Sequence, residues 1–194
     1  MDYVSTVRGH VFVDVGANFG LYCTRLRKNF DRIIAIEADP VIFEQLRKVC
    51  PSNCEAINIA ASNTEEYVSF YPVMEPMKNL GMGSMFPPSD QEWNRVEKPT
   101  NRFRLPSAPL SKILANEKEI DLIKVDVEGA EWLVLEGAEP IMPRIKRWVI
   151  ELHEPSRRTE LDTLMKQYGF SRCQWLDSTH GVFQRSACVV SRST

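Results

Sequence analysis

The stretch V-F-V-D-V-G-A-N-F-G, Val11 to Gly20, runs from an apolar, β-branched segment straight into a glycine-bearing turn. Val11 to Val15 reads as a buried strand, because a strand covered on both faces is a near-continuous apolar run rather than an alternating one. A helical pattern follows over Phe19 to Asn29, and a second buried strand over Ile33 to Glu37, giving a βαβ unit. Glycine at such a turn lets backbone approach a ligand closely, and the N–H groups opening a helix attract an anion.

The same alternation extends outward. Asp39 is placed to N-cap a helix opened by Pro40 and carrying Ile42, Phe43, Leu46 and Val49 at helical spacing. A third strand is expected over Ala56 to Ala60, then a strand at Asp121 to Val127, a helix at Glu131 to Ala138, a strand at Trp148 to Leu152 and a helix at Thr159 to Tyr168. Strand and helix in turn specify an α/β fold, a mostly parallel sheet with helices on both faces. Phe170 to Trp175 and Val182 to Val190 have only a short loop between them, so an antiparallel hairpin closes the sheet. Residues 1–194 read as a single domain with an irregular insertion at about 63–110, which holds seven of the twelve prolines and four of the seven methionines. It is either a surface excursion with one or two short strands or a substrate-facing wall, with Met74, Met77, Met82 and Met85 as adaptable contacts.

Composition narrows the class. With 194 residues, 43% hydrophobic and 26% charged, the chain is far from the disordered range. A net charge of −2 supplies no field for nucleic acid or anionic lipid, so no nucleic-acid partner is expected. No apolar run is long enough for a membrane span, and a charged, structured region within ten residues leaves no room for a signal peptide. The five cysteines contain no C-x-x-C pair, so neither a disulfide framework nor a zinc cluster is expected, and a cytoplasmic location fits best.

Chemistry concentrates at strand ends. In a dinucleotide site the glycine turn is G-x-G-x-x-G around a pyrophosphate; here Asp14 occupies the first of those positions. Its carboxylate repels diphosphate and suits a cationic ligand such as S-adenosylmethionine; the competing reading makes Asp14 a turn former and Gly16 and Gly20 packing glycines. Glu37, 17 residues after Gly20, can accept both hydrogen bonds of a ribose diol, or is a solvated glutamate before a helix. Ala60 and Ala61 are small enough to let an adenine ring slide against backbone. In I-D-L-I-K-V-D-V-E-G-A-E, Ile120 to Glu131, Asp126 and Glu128 lie two apart and project to one side of the rim if the strand stays extended. Glu128 and Glu131 can instead complement the helix N-terminus, and Lys124 is expected to pair with a carboxylate. His153, in E-L-H-E-P, sits at the same rim, whereas His10 and His180 have no such placement. Asp126, Glu128, Glu151 and His153 have metal-ligand chemistry, but no spacing fixes a site and no metal is expected.

Taken in order, D-V-G-A-N-F-G, E-A-D-P, G-M-G-S at Gly81 to Ser84, K-V-D-V-E-G-A-E and E-L-H resemble the FkbM-type S-adenosylmethionine-dependent methyltransferases over Val11 to His153. The resemblance implies the Rossmann-like class I methyltransferase fold, a seven-stranded sheet with an antiparallel last strand, and O-methylation of a hydroxyl on a small molecule, sugar or glycolipid. It implies that Asp14, Gly16, Ala17, Asn18 and Gly20 form the cofactor loop, that Glu37 binds ribose and that Asp126 faces cofactor and acceptor. Ala38 stands where the family often has proline, and little chain precedes the first strand. A hydroxyl acceptor needs a base, for which His153, then Asp126 or Glu128, are the candidates. The alternatives are a cofactor-binding scaffold without catalysis and an NAD-dependent oxidoreductase, which Asp14 disfavours.

Overall fold

Five consecutive buried residues end strand β1 (Gly9–Val15), which places it inside a sheet rather than at an edge. The computed structural model describes residues 3–72, 83–86 and 103–185; Met74, Met77, Met82 and residues 186–190 of the expected last strand lie outside them. The further strands are β2 (Phe30–Glu37), β3 (Cys54–Asn58), β4 (Ala60–Ser62), β5 (Tyr67–Phe70), β6 (Phe103–Pro109), β7 (Leu122–Val125), β8 (Arg147–Glu151), β9 (Phe170–Trp175) and β10 (His180–Arg185). Helices are α1 (Leu21–Arg25), α2 (Pro40–Val49), α3 (Leu110–Ile113), α4 (Glu131–Ala138) and α5 (Arg158–Gln167). Among the described residues no helix is long and apolar enough to cross a membrane.

Seven strands form the main sheet in the order β3-β2-β1-β7-β8-β10-β9, parallel except that β10 runs antiparallel to both its neighbours. The hairpin read from the sequence is therefore present, with β10 inserted between β8 and β9. The chain moves from β1 outward to β2 and β3, then crosses back to β7. Strand order thus reverses between β1 and β7, where the carboxyl ends of a parallel sheet open a ligand crevice.

Two elements differ from expectation. The helix after β1 is five residues rather than eleven; it ends at a Leu26 cap, and the turn that follows carries Asn29, whose side-chain amide donates to the carbonyls of Ser5 and Val7 at 3.1 Å each. The third strand is split at Ile59, and β4 leaves the main sheet to pair with β6 in a second, three-stranded sheet of order β4-β6-β5. Small buried side chains allow this turn inward: Ala60, Ala61 and Ser62 lie under α4, where a Cβ on Gly137 would stand 2.0 Å from the Ser62 carbonyl oxygen. Helix α2 begins as expected, with Asp39 Oδ1 accepting from the amides of Val41 (2.8 Å) and Ile42 (3.3 Å).

Each face of the sheet buries its own apolar set. Val11, Val13, Val15, Ile34, Ile36, Ile123 and Val125 pack with Val134 and Leu135 of α4, while Phe12, Ile33, Ala35 and Leu122 pack with Leu26 and Leu46 on the opposite side. Asp14 shares the face of Phe12, and the register sets it beside Lys124 on β7. Asp14 is fully buried and Lys124 is 5% exposed. The Lys124 ammonium lies 3.2 Å from Asp126 Oδ2, 3.6 Å from Asp14 Oδ1 and 5.1 Å from the centre of the Tyr22 ring. The lysine is paired, as its strand context implies. Removing it would leave two carboxylates without their cation, so Lys124→Met is expected to lower unfolding free energy by roughly 3–5 kcal/mol, read by urea titration.

Candidate active site

The β1–α1 turn is shaped by its own amides. Gly16 has φ +79°, and a Cβ there would lie 1.8 Å from the Asp126 carbonyl oxygen, so only glycine lets this turn meet the segment that follows β7. The amides of Gly16 and Ala17 donate to the Ile36 carbonyl at 2.9 and 3.0 Å, that of Gly20 to the Ala17 carbonyl at 3.0 Å, and that of Phe19 to Asn18 Oδ1 at 2.8 Å. Asn18, in the left-handed region at φ +50°, donates its amide to Glu37 Oε2 at 2.8 Å. All five amides from Gly16 to Gly20 are thus donated within the protein.

Glu37, at the carboxyl end of β2, is 8% exposed and anchored twice, its second oxygen accepting from the Asp39 amide at 2.8 Å. Burial pushes its pKa up to about 7, although both amides favour the charged form. Burial likewise raises Asp14 to about 6, against the pull of Lys124.

Past β7 the chain carries Asp126, then Glu128 at φ +52°. Burial raises the Asp126 pKa, with Lys124 opposing the shift. Glu128 reaches His153: Oε2 lies 3.2 Å from Nε2, while Nδ1 lies 2.8 Å from Oε1 of the buried Glu131. Both ring nitrogens thus face carboxylate oxygens, an arrangement that favours the imidazolium. Burial opposes that charge, but Glu128 and Glu131 outweigh it and raise the pKa to about 10. The sequence offers His153 as a base; in the structure both of its ring nitrogens face carboxylate oxygens. His180 is corrected, because strand register sets it opposite Glu151. It lies 3.1 Å from Glu151 Oε2 and 3.0 Å from Asp177, and these partners raise its pKa to about 9 despite burial.

A cavity of about 570 Å³, open mouth included, occupies the crevice. Of the residues singled out in the sequence, Gly16, Asn18, Glu37, Ala38, Ala60, Ala61, Asp126 and Glu128 line it. Asp14, Ala17, Gly20 and His153 do not. Asp14 faces inward, and the cation beside it is Lys124 rather than a ligand. The sequence reading missed Phe70 and Gly83 as lining residues, while Ile59 belonged to its adenine-facing run with Ala60 and Ala61, and Met85 was among its candidate wall contacts. The G-M-G-S string signalled Gly83; Phe70 carried no signal, because its place depends on β5 pairing with β6. Ser84 holds this wall by donating to the Glu128 carbonyl at 2.6 Å. For a metal, ligand atoms of Asp126, Glu128 and His153 lie within 4.8 Å of one another, but an ion would have to displace Glu128 from the imidazolium.

A sheet of order 3-2-1-4-5-7-6 in its own strand sequence, with its cavity at the reversal point and an acid ending the second strand, defines a class I methyltransferase-type domain. The chain belongs to the methyltransferase FkbM domain family, whose profile matches residues 14–172. It is 26% identical over 200 residues to methyltransferase sdnD of Sordaria araneosa, covering 84% of this chain and 76% of that protein. It is 27% identical over 190 residues to the 31-O-demethyl-FK506 methyltransferase FkbM of Streptomyces tacrolimicus, covering 84% and 73%. Among solved structures, methyltransferase FkbM from Methylobacillus flagellatus KT superposes with a TM-score of 0.59 at 17% identity; 93% of this chain matches, and it spans about half (47%) of that one. Sp1610 of Streptococcus pneumoniae, in complex with S-adenosyl-L-methionine, shares the fold with a TM-score of 0.54 at 12% identity, over 97% of this chain and 73% of that one.

The raised pKa values of Glu37 and His153 act on stability in different windows. Because Glu37 is raised from 4.5 to about 7, Glu37→Gln is expected to gain on the wild type as pH rises from 4.5 to 7 and to level off above. His153, raised from 6.5 to about 10, stabilises fully below pH 6.5, and the wild type's advantage over His153→Gln is expected to shrink as pH rises toward 10. Melting temperatures across both ranges check each sign.

Proposed function

We propose that the protein transfers a methyl group from S-adenosylmethionine to a hydroxyl of a small molecule, sugar or glycolipid. The observation that carries this reading is a single cavity with Glu37 at one strand end and Asp126 and Glu128 at another. The residues fit the cofactor. Each Glu37 oxygen spends one acceptor site on a backbone amide and keeps another for one hydroxyl of a ribose diol. Ala60 and Ala61 leave flat space for an adenine ring. The amides from Gly16 to Gly20 are donated within the protein, which favours S-adenosylmethionine over a nicotinamide dinucleotide at this turn.

When bound, S-adenosylmethionine supplies a sulfonium-activated methyl group for in-line displacement. The chain's part is to hold donor and acceptor in line, exclude water and accept the hydroxyl proton. Asp126 is the base in this reading. Burial makes its carboxylate more basic than an exposed aspartate, and Lys124 fixes one of its oxygens at 3.2 Å. Glu128, held by the His153 imidazolium, positions the acceptor by accepting from a second hydroxyl. The rim cations Lys124, His153 and His180 are each taken up by a carboxylate, of Asp126, Glu128 and Glu151, which leaves none of them for a phosphate-rich acceptor and favours a neutral polyol. The 31-O-demethyl-FK506 methyltransferase relative is consistent with a hydroxyl acceptor.

Calorimetry with S-adenosylhomocysteine is expected to show binding that Glu37→Ala weakens at least about tenfold, since hydrogen bonds to a charged group are worth roughly 1.5–3 kcal/mol. Asp126→Asn is expected to lower turnover by about 10²- to 10⁴-fold while affinity for the homocysteine product stays within a few-fold. Transfer is read by mass spectrometry of a hydroxyl-rich metabolite pool. Binding without transfer to any acceptor points to the scaffold alternative, and tighter binding of NAD overturns the cofactor assignment.

A further inference from the structure

Three cysteines that the sequence spacing leaves unrelated converge on one point. Cys23 comes from α1, Cys50 from the C-terminal cap of α2 and Cys54 from the start of β3, and their sulfurs all lie within 4.8 Å of one another. Separate constraints set each thiol. The Cys50 amide donates to the Leu46 carbonyl at 3.1 Å, and the Cys54 amide donates to the Pro51 carbonyl at 2.9 Å, folding the intervening turn so that Sγ of Cys50 and Sγ of Cys54 stand 3.3 Å apart. Cys23 Sγ donates to the Gly20 carbonyl at 3.1 Å from a fully buried position, while the other two are half-buried and reachable from solvent.

We propose that Cys23, Cys50 and Cys54 form a three-thiolate site for a soft monovalent cation of the copper(I) class. Three sulfurs each about 2.3 Å from an ion in their plane would be roughly 4 Å apart, within the spread the thiols already show. Thiolate donors select soft ions. Among the described residues no histidine or carboxylate joins the group, so a closed tetrahedral zinc site lacks its fourth protein ligand. A disulfide would use two of the three sulfurs and leave the convergence of Cys23 unexplained. Each Cu–S bond takes the place of an S–H bond, with the proton passing to solvent and no change of oxidation state. The site stands apart from the methyl-transfer cavity, whose lining includes none of the three cysteines.

The test is titration of the fully reduced chain with copper(I) against a colorimetric chelator of known affinity, without oxygen. One equivalent is expected to bind, with a thiolate-to-metal ultraviolet band and a raised Tm. Cys50→Ser and Cys54→Ser should each weaken binding at least about tenfold, whereas a Cys173→Ser, Cys188→Ser double variant should bind as the wild type does. Circular dichroism and S-adenosylhomocysteine binding report whether each variant is folded. Equal stoichiometry in all variants overturns the proposal. So does failure of the reduced protein to compete for copper(I), or preferential retention of zinc when both ions are offered. A peroxide-induced Cys50–Cys54 disulfide in a chain that takes no copper(I) would assign the cluster to redox chemistry instead.

Discussion

One ammonium shared by two carboxylates underlies the crevice. Lys124 lies on β7, Asp14 on the adjacent β1, and Asp126 just past the end of β7, so the lysine joins both sides of the place where strand order reverses. Burying three charged groups at such a point is unfavourable unless they compensate one another. The compensation is unequal. Asp126 receives a hydrogen bond, while Asp14 has the lysine only at ion-pair distance and neither of its oxygens is hydrogen-bonded. Asp14 therefore spends its charge on holding a cation that in turn orients Asp126.

The course of the chain was legible wherever local pattern and tertiary context agreed. Buried apolar runs located β1, β2, β7 and β8, Asp39 with Pro40 marked the start of α2, and the short loop before His180 announced the hairpin. The split between β3 and β4 was not legible, because Ala60, Ala61 and Ser62 continue an apolar strand as readily as they end one. Their departure depends on α4 and β6, far away in sequence.

At the site, residue positions were more legible than residue roles. Glu37, Asp126 and Glu128 were placed at the rim by strand ends alone. The argument against diphosphate rested on Asp14; in the structure that side chain is buried beside Lys124, and the amides of Gly16 to Gly20 are donated within the protein. That distinction depends on hydrogen bonds to Ile36 and Glu37, which spacing does not disclose. The same holds for the two imidazoliums. His153 reads as a base in one dimension, and only its second carboxylate, Glu131, shows that both ring nitrogens are held; Glu151 and Asp177 hold His180 in the same way.

The wall opposite the glycine turn is built largely outside the seven-stranded sheet. Phe70 belongs to the small second sheet, and Gly83 and Met85 are carried by a segment that Ser84 pins to the Glu128 carbonyl. The half of the cavity that meets Glu37 is rooted in the scaffold, while the other half hangs from an appendage. Substitutions and length changes in that appendage can remodel which molecules enter without disturbing the buried charges beneath, so selectivity is free to diverge faster than architecture.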